Sequence, residues 1–209
     1  LGGISEYLIS AGIYVLEKSV LSLVAPERKV SIEREVWPQL VGAGLHATAD
    51  HDAYWMDIGT PDRYLQATFD ILDGDVETAV LEKLGPAYRA TGEGLDADQA
   101  RIVPPVVIGD GVSIGRRSHI GPLVVLGNGV KIAEGVRIER AVVLDGAEIG
   151  DRCEIADAVI DAGAQIGAGS TVGSRTRVGV GGKVGDANEL SHGVRLFPGT
   201  VLGDGAIRF

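Results

Sequence analysis

Residues 108–130 read I-G-D-G-V-S-I-G-R-R-S-H-I-G-P-L-V-V-L-G-N-G-V, with an aliphatic side chain at every sixth position. The spacing continues on both sides of this stretch, with a one-residue slip after Leu144 and another after Ile155. The repeated positions are Ile102, Ile108, Ile114, Ile120, Leu126, Ile132, Ile138 and Leu144, then Ile149 and Ile155, then Ile160, Ile166, Val172, Val178, Val184, Leu190, Leu196 and Leu202. Such a regular return of aliphatic residues indicates a repeat architecture.

A period of six residues accommodates one short strand and one corner, so three units close a triangular turn of about 18 residues. The aliphatic side chain then points inward and stacks on its equivalents in neighbouring turns, which makes a quasi-one-dimensional solenoid. Glycine often follows the aliphatic residue, and it suits corners where the backbone adopts a positive φ. The pattern predicts about six turns, and we interpret the two slips as tightened corners in a continuous stack.

Composition and charge exclude several classes of function. The chain carries 29 acidic and 19 basic residues, for a formal net charge of −10. This excess argues against nucleic acid and against an anionic membrane surface as partners, since both attract basic patches. No run of about 18 apolar residues is present for a transmembrane helix. The single cysteine is typical of a reducing compartment, and we expect a cytoplasmic protein.

The first hundred residues do not repeat, and they mix strand-like with helical segments in the manner of an α/β fold. Cap residues, proline positions and hydrophobic runs set the expected boundaries. The expected elements are strands over 8–16, 44–49 and 54–58, a short helix over 17–24, a helix capped by Ser31 that runs through Val36 and stops at Pro38, a helix from Thr60 and Pro61 to about Leu72, and a linker over 83–101.

Two resemblances to known families cover nearly the whole chain. Residues 102–206 resemble the hexapeptide-repeat, left-handed parallel β-helix family, whose handedness the resemblance implies. The stretch Y-W-M-D-I-G-T-P-D-R-Y-L-Q-A, residues 54–67, resembles sugar-1-phosphate nucleotidyltransferases, as do S-A-G-I-Y-V-L at 10–16 and S-I-E-R-E-V-W-P at 31–38. The subgroup that it resembles most is mannose-1-phosphate guanylyltransferase, in which a Rossmann-like catalytic domain precedes a hexapeptide β-helix.

The resemblance predicts a mixed fold in three parts. Residues 1–82 would be the C-terminal part of a nucleotidyltransferase catalytic domain, a truncated α/β unit, and 83–101 the linker. Residues 102–209 would form a left-handed parallel β-helix of about six coils. No G-x-G-T-R-L-like nucleotide-binding loop occurs in residues 1–82. We therefore expect a fragment, a proteolysed product or a degenerate gene product that is inactive alone, with the β-helix serving assembly or regulation.

The family reaction joins a nucleoside triphosphate to a sugar 1-phosphate and releases pyrophosphate. For the full-length parent the resemblance implies GTP, a sugar 1-phosphate and Mg²⁺. It makes Asp57 the catalytic, Mg²⁺-ligating carboxylate, and it gives Glu33 and Gly12 roles in binding the sugar. A turn aspartate, a first-turn glutamate and a bulge glycine are the alternatives without a site. Ser10 stands where the subgroup usually has asparagine, so the sugar stays open. The base also stays open, because the segment that would read it is not among these residues.

Two other classes of function remain open. A hexapeptide acyltransferase would use a histidine as general base, and His119 and His192 are the candidates in the repeat. A non-catalytic module would assemble or regulate subunits. In either case the open end of a β-helix has unpaired strand edges that must be covered, so we expect a homo-oligomer of unpredicted order. Cys153 occupies a small inward position and is predicted to be a buried thiol.

Overall fold

The computed structural model describes residues 9–84 and 89–208 and contains two compact units. The first unit is Leu1–Trp55 and the second is Met56–Phe209. The second unit contains the β-helix together with two helices, and the first contains only short helical segments among its described residues.

The helical segments of the first unit are a 3-10 helix over Lys18–Leu23, a π-helical turn over Ile32–Val36 and the short α-helix α1 over Trp37–Leu40. Ser31 caps the π-helical turn as predicted, since its side chain accepts a hydrogen bond from the Arg34 N–H at 3.3 Å. The prediction that Pro38 ends the helix is wrong. The Trp37 N–H bonds to the Ile32 carbonyl, five residues back. This wider turn separates the proline ring from the carbonyl that it would meet in a regular helix.

The strands predicted over 8–16, 44–49 and 54–58 are not present in the described residues, which begin at residue 9. A strand is stable only when a neighbouring strand satisfies its backbone N–H and C=O groups. Among the described residues, no strand forms a β-ladder with these segments. Ile13 and Val15, which a sheet would bury, are 83% and 99% exposed. The hydrophobic pattern of these segments is typical of strands, but the described residues contain no strand that pairs with them.

The helices of the second unit are α2 over Pro61–Asp73 and α3 over Ala79–Leu84. Thr60 caps α2 as predicted, since its hydroxyl accepts the Arg63 N–H at 3.4 Å, and Pro61 occupies the first turn. Gly74 ends α2 with a φ of +90°, a left-handed conformation that glycine adopts without a steric cost.

Within residues 89–208, the β-helix is built from seventeen short parallel strands. They are β1 Arg89–Thr91, β2 Arg101–Ile102, β3 Val106–Ile108, β4 Ser113–Ile114, β5 His119–Ile120, β6 Val124–Leu126, β7 Lys131–Ile132, β8 Arg137–Val143, β9 Glu148–Ile149, β10 Glu154–Ile160, β11 Gln165–Ile166, β12 Thr171–Val172, β13 Arg177–Val178, β14 Lys183–Val184, β15 Glu189–Leu190, β16 Arg195–Leu196 and β17 Val201–Leu202. Together they form about six turns, so the predicted β-helix is confirmed.

The strands stack into three faces. The first face contains β2, β5, the first halves of β8 and β10, β12 and β15. The second contains β1, β3, β6, the second halves of β8 and β10, β13 and β16. The third contains β4, β7, β9, β11, β14 and β17.

The predicted inward register is confirmed with one exception. Ile114, Ile120 and Ile132 are at most 4% exposed, and one continuous cluster of buried aliphatics fills the interior. Leu144 was predicted to point inward, but Val143 takes that place in register with Leu126. Leu144 packs on the outside of the second face instead. The two candidate positions are adjacent in a run of three aliphatics, so the spacing alone could not separate them.

Both slips of the repeat are tightened corners, as predicted, but the first lies between Ile138 and Val143 and not after Leu144. β8 and β10 run without interruption from the first face to the second, and they pair with each other along most of their length. Arg140 and Asp157 turn this corner with φ values of 47° and 49°. A single left-handed residue thus replaces the longer corner of the other turns, and the stack continues unbroken.

Part of the expected linker at 83–101 belongs to the β-helix. β1 pairs in parallel with β3, and the Asp96 N–H bonds to the Val112 carbonyl at 2.9 Å. Leu95 packs against the interior cluster. The glycines and charged residues that indicated a linker occupy the corners and the outer surface of an additional turn of the β-helix. Such a turn has the same composition as a loop, so composition could not distinguish the two.

Candidate functional site

Asp57 lies in a tight turn directly before α2. Its Oδ1 accepts a hydrogen bond from the Gly59 N–H at 2.9 Å, and a Cβ placed on residue 59 would lie 3.0 Å from that oxygen. No strand is assigned over 54–58 among the described residues, so Asp57 does not lie in the strand that the sequence predicted there. The Gly59 hydrogen bond and the capped helix that follows fix the direction of the carboxylate.

The second oxygen of Asp57 faces the first turn of α2. Arg63 Nη1 donates to Asp57 Oδ2 at 3.3 Å, and both side chains are more than half exposed. An exposed pair of this kind contributes little to stability because water screens it. The ion pair instead orients the side chain: it holds the Asp57 carboxylate beside the N-terminal end of α2, where the helix macrodipole favours negative charge.

Asp57 suits a hard cation as one ligand of several. Mg²⁺ prefers oxygen ligands and is usually bound through one or two carboxylates, waters and substrate phosphates. Within residues 9–84 and 89–208, no three histidine, cysteine, aspartate or glutamate side chains group as a metal site. Asp57 can therefore supply one carboxylate, and the remaining ligands would have to come from phosphate oxygens and water.

Helix α2 is fixed to the outside of the second face of the β-helix. Leu65, Phe69 and Leu72 are at most 4% exposed, and they pack in one cluster with Val142 and Val159 of the β-helix. This cluster is separate from the interior of the solenoid. The turn that contains Asp57 is therefore attached directly to a rigid apolar interface.

The sequence contains a signal for this interface that the six-residue period does not reveal. On the second face, four strands (β3, β6 and the second halves of β8 and β10) contain three consecutive apolar residues, as in V-V-I at 106–108 and V-V-L at 124–126. On the other faces a polar residue precedes the inward aliphatic in every strand except β17, as in K-I at 131–132. An apolar residue between two inward ones must point outward, so this face required a cover.

Polar contacts surround the apolar contact of α2. The Arg140 guanidinium lies 4.6 Å from the centre of the Phe69 ring, and Arg140 Nε donates to Asp157 Oδ1 at 2.7 Å. Arg175 approaches Asp62 at the start of α2 to 3.6 Å. These residues line a groove of about 380 Å³ beside the tightened corner. Two cations and two carboxylates balance there, so the groove has no net charge.

The two predicted sugar-binding residues lie in the first unit, whereas Asp57 belongs to the second. Glu33 is exposed in the π-helical turn, and its carboxylate forms no hydrogen bond or ion pair with the described residues. Gly12 has a φ of +74°, and a Cβ there would meet nothing within 4 Å. Its N–H bonds to Ser10 Oγ at 3.3 Å. Backbone conformation therefore accounts for a glycine at this position.

Glu35, which was not a predicted site residue, is the paired carboxylate near Glu33. It accepts Arg28 Nη2 at 2.6 Å and the Ser31 N–H at 3.0 Å. The hydrogen bond from Arg28 and then that from Ser31 hold the pKa of Glu35 below its usual value. Glu35 therefore stabilises the start of the helical turn and leaves the Glu33 carboxylate to solvent.

The histidines of the β-helix do not form a catalytic arrangement with the groups described. His119 lies 3.9 Å from Glu139 on the outside of the first face, and His192 sits at a corner with a φ of 57° and contacts Ser191 at 2.5 Å. Cys153 is buried as predicted, donates to the Gly167 carbonyl at 3.0 Å, and has a pKa raised chiefly by burial.

Comparison with known families confirms the predicted order of parts. The family model described as the GMPPB C-terminal domain matches residues 102–206, half of the chain, and the chain belongs to this family. A model described as Nucleotidyl transferase matches residues 4–74, the stretch that contains Gly12, Glu33 and Asp57. A nucleotidyl transferase segment is therefore followed by the parallel β-helix.

Several curated proteins are similar to this chain. Mannose-1-phosphate guanylyltransferase of Mycobacterium tuberculosis is 35% identical over 118 residues, which cover 54% of this chain and 31% of that protein. Mannose-1-phosphate guanylyltransferase 1 of Arabidopsis thaliana is 35% identical over 119 residues, covering 56% and 29%. The Schizosaccharomyces pombe mannose-1-phosphate guanyltransferase is 45% identical over 60 residues, covering 29% and 16%. The chain thus spans less than a third of the length of each.

Among solved structures, the GDP-perosamine N-acetyl transferase of Caulobacter crescentus is 22% identical to this chain with a TM-score of 0.44. The match covers 55% of this chain and 52% of that chain. Across the described residues, no helix is both long and apolar enough to cross a membrane.

Proposed function

We propose that the full-length protein containing this chain is a sugar-1-phosphate nucleotidyltransferase. It would make GDP-mannose from GTP and mannose 1-phosphate and release pyrophosphate. The observation that supports this most is the Asp57 turn, whose D-I-G-T-P sequence lies in the nucleotidyl transferase match and whose carboxylate is held at the start of an anchored helix. The guanylyltransferase names of the relatives favour guanine and mannose over other bases and sugars.

In this proposal the chain supplies positioning and charge. The sugar phosphate oxygen attacks the α-phosphorus, and pyrophosphate leaves, so the protein's task is alignment and neutralisation of phosphate charge. Mg²⁺, when bound, would supply Lewis-acid charge neutralisation at the phosphates. Asp57 would hold it through one carboxylate oxygen. Glu33 would accept hydrogen bonds from sugar hydroxyls, and Gly12 would let the backbone approach the sugar.

The β-helix would serve assembly or regulation, and the protein would act in the cytoplasm, where its nucleotide and sugar phosphate substrates are made. The chain alone would be inactive, because no Gly-rich, Arg-containing nucleotide loop occurs in residues 1–82. The buried α2 contact supports a structural role for the β-helix, since it anchors the helix that follows Asp57.

A matched pair of substitutions tests the role of Asp57. In the full-length protein, Asp57→Asn should lower kcat by about 10²–10³-fold and raise the Mg²⁺ concentration needed for half-maximal pyrophosphate release. Asp62→Asn removes a carboxylate five residues away that binds Arg175, and it should leave the rate within a few-fold. Thermal unfolding should be nearly unchanged for both. A near-normal rate for Asp57→Asn would remove it from the metal site.

A further inference from the structure

One column of outward side chains on the first face has an uneven charge. In-register pairing of the strands places one outward residue above the next in six successive turns. The column is Arg101, His119, Arg137, Glu154, Thr171 and Glu189. Its first half is basic, with a histidine between two arginines, and its second half is acidic, with two glutamates on either side of a threonine.

Most of the charged side chains in this column have no ion-pair partner within the described part of the chain. The side chains of Arg101, Glu154 and Glu189 are exposed and form no hydrogen bond or ion pair within the described part of the chain. Arg137 binds Glu139 of its own strand at 2.5 Å. Neighbouring strands lie about 4.8 Å apart, so Arg101 and Arg137, two strands apart on the same face, lie about 10 Å from each other and repel weakly. Such a column has electrostatic energy to gain from a surface of opposite pattern.

A second copy of the chain has that opposite pattern when it is turned over. The two-fold axis runs parallel to the strands, lies in the plane between the two packed faces, and passes midway between β8 and β10. A rotation of 180° about it places the first turn of one copy against the sixth turn of the other. Arg137 then faces Glu154 of the second copy, and Arg101 faces Glu189. His119 faces Thr171, which carries no charge. Every charged pair is favourable, and each occurs twice because a two-fold interface is self-complementary.

The other faces do not have this property. The outward column of the third face is Ser113, Lys131, Glu148, Gln165, Lys183 and Val201. The same rotation would place Lys131 against Lys183. Lys131 and Glu148 already pair at 2.9 Å, which raises the pKa of Lys131 and lowers that of Glu148, mainly through their hydrogen bond. The second face is covered by α2.

We propose that the first face is an interface between two copies of this chain, packed face to face with antiparallel solenoid axes. Six strands at about 4.8 Å span about 24 Å, so the flat contact is smaller than the roughly 800 Å² per partner of a standard interface. The dimer is therefore weak and electrostatic. Its dissociation constant should rise about tenfold between about 50 mM and 500 mM NaCl, because salt shortens the screening length.

Sedimentation velocity of the whole 209-residue chain over a concentration series tests the interface. Arg137→Glu and Glu154→Arg, each alone, place like charges opposite one another twice and should weaken the dimer about tenfold or more. Lys183→Glu changes the charge by the same amount as Arg137→Glu but lies on the third face. It should leave the dissociation constant unchanged.

An equimolar mixture of the two single variants gives the decisive result. In the mixed dimer, the glutamate introduced at position 137 of one variant would meet the arginine introduced at position 154 of the other. The remaining pair is likewise favourable, so dimers should return to wild-type strength. A monomer at every concentration in low salt would overturn the proposal. A dimer that Arg137→Glu does not weaken, or a mixture that does not recover, would overturn it as well.

Discussion

Replacing Phe69 with alanine should detach α2 from the β-helix without unfolding the β-helix. Phe69 is 4% exposed, packs among the apolar side chains of the second face, and lies under the Arg140 guanidinium. Removing a buried phenylalanine costs about 3–5 kcal/mol, and the lost cation–π contact adds about 0.5–1 kcal/mol. A 13-residue helix is only marginally stable in water, so α2 should then open locally.

Amide hydrogen exchange, followed by mass spectrometry, measures this opening segment by segment. A loss of at least about 3 kcal/mol corresponds to exchange in α2 that is at least about a hundredfold faster. Amides of the first and third faces should keep their protection, because their core is a separate cluster. Gln66→Ala is the matched control, since Gln66 is exposed and, among the described residues, its side chain donates to Asp70 on the same helix. Unchanged protection of α2, or loss of protection throughout the β-helix, would refute the reasoning.

Three further perturbations address the interior, the thiol and the nucleotide. Ile132→Asp should destabilise the stack by about 3–5 kcal/mol through a buried unpaired charge, whereas Lys183→Asp on the outside should not; an unchanged melting temperature for Ile132→Asp would contradict the register. Burial raises the pKa of Cys153, so the thiol loses its proton at a lower pH in the unfolded state than in the folded state. The free energy of unfolding should therefore fall as the pH rises above about 8.5, and below that pH Cys153 should cause no loss of stability. A thiol reagent that labels the native protein quickly at neutral pH would contradict that burial. Calorimetry of the chain with GTP and Mg²⁺ should show no binding tighter than millimolar, and micromolar affinity would contradict the expectation that this chain is a fragment without the nucleotide-binding loop.

The β-helix could be predicted from sequence because each turn depends on a local spacing. A six-residue period determines which side chain points inward, and a missing residue can be absorbed only at a corner. The prediction failed in two places: where apolar residues are adjacent, as at Val143 and Leu144, and in the expected linker, whose glycines and charges concealed the turn that contains β1. The outward valines of the second face were a sequence signal that another element packs on this face. The six-residue period did not reveal that signal, because it identifies only the inward positions.

The first unit was harder to predict because strands depend on partners distant in the sequence. The pattern of residues 44–49 favours a strand, yet no described segment pairs with it. Local signals succeeded where the interaction is local, as with the caps at Ser31 and Thr60. The helix that follows Asp57 was predicted from Thr60 and Pro61, but the predicted strand over 54–58 is not found, and the contact of Asp57 with Arg63 depends on side-chain conformation and has no sequence signature. The roles of Gly12, Glu33 and Asp57 stay predictions.

The identity of the reaction product is the most direct test of the proposed function. The full-length protein would be incubated with GTP, mannose 1-phosphate and Mg²⁺, and the products separated and identified by mass spectrometry. The expected products are GDP-mannose and pyrophosphate in equal amounts, with their formation lost in Asp57→Asn. Intact substrates after incubation with the wild-type protein, or full product yield from Asp57→Asn, would contradict the proposed function.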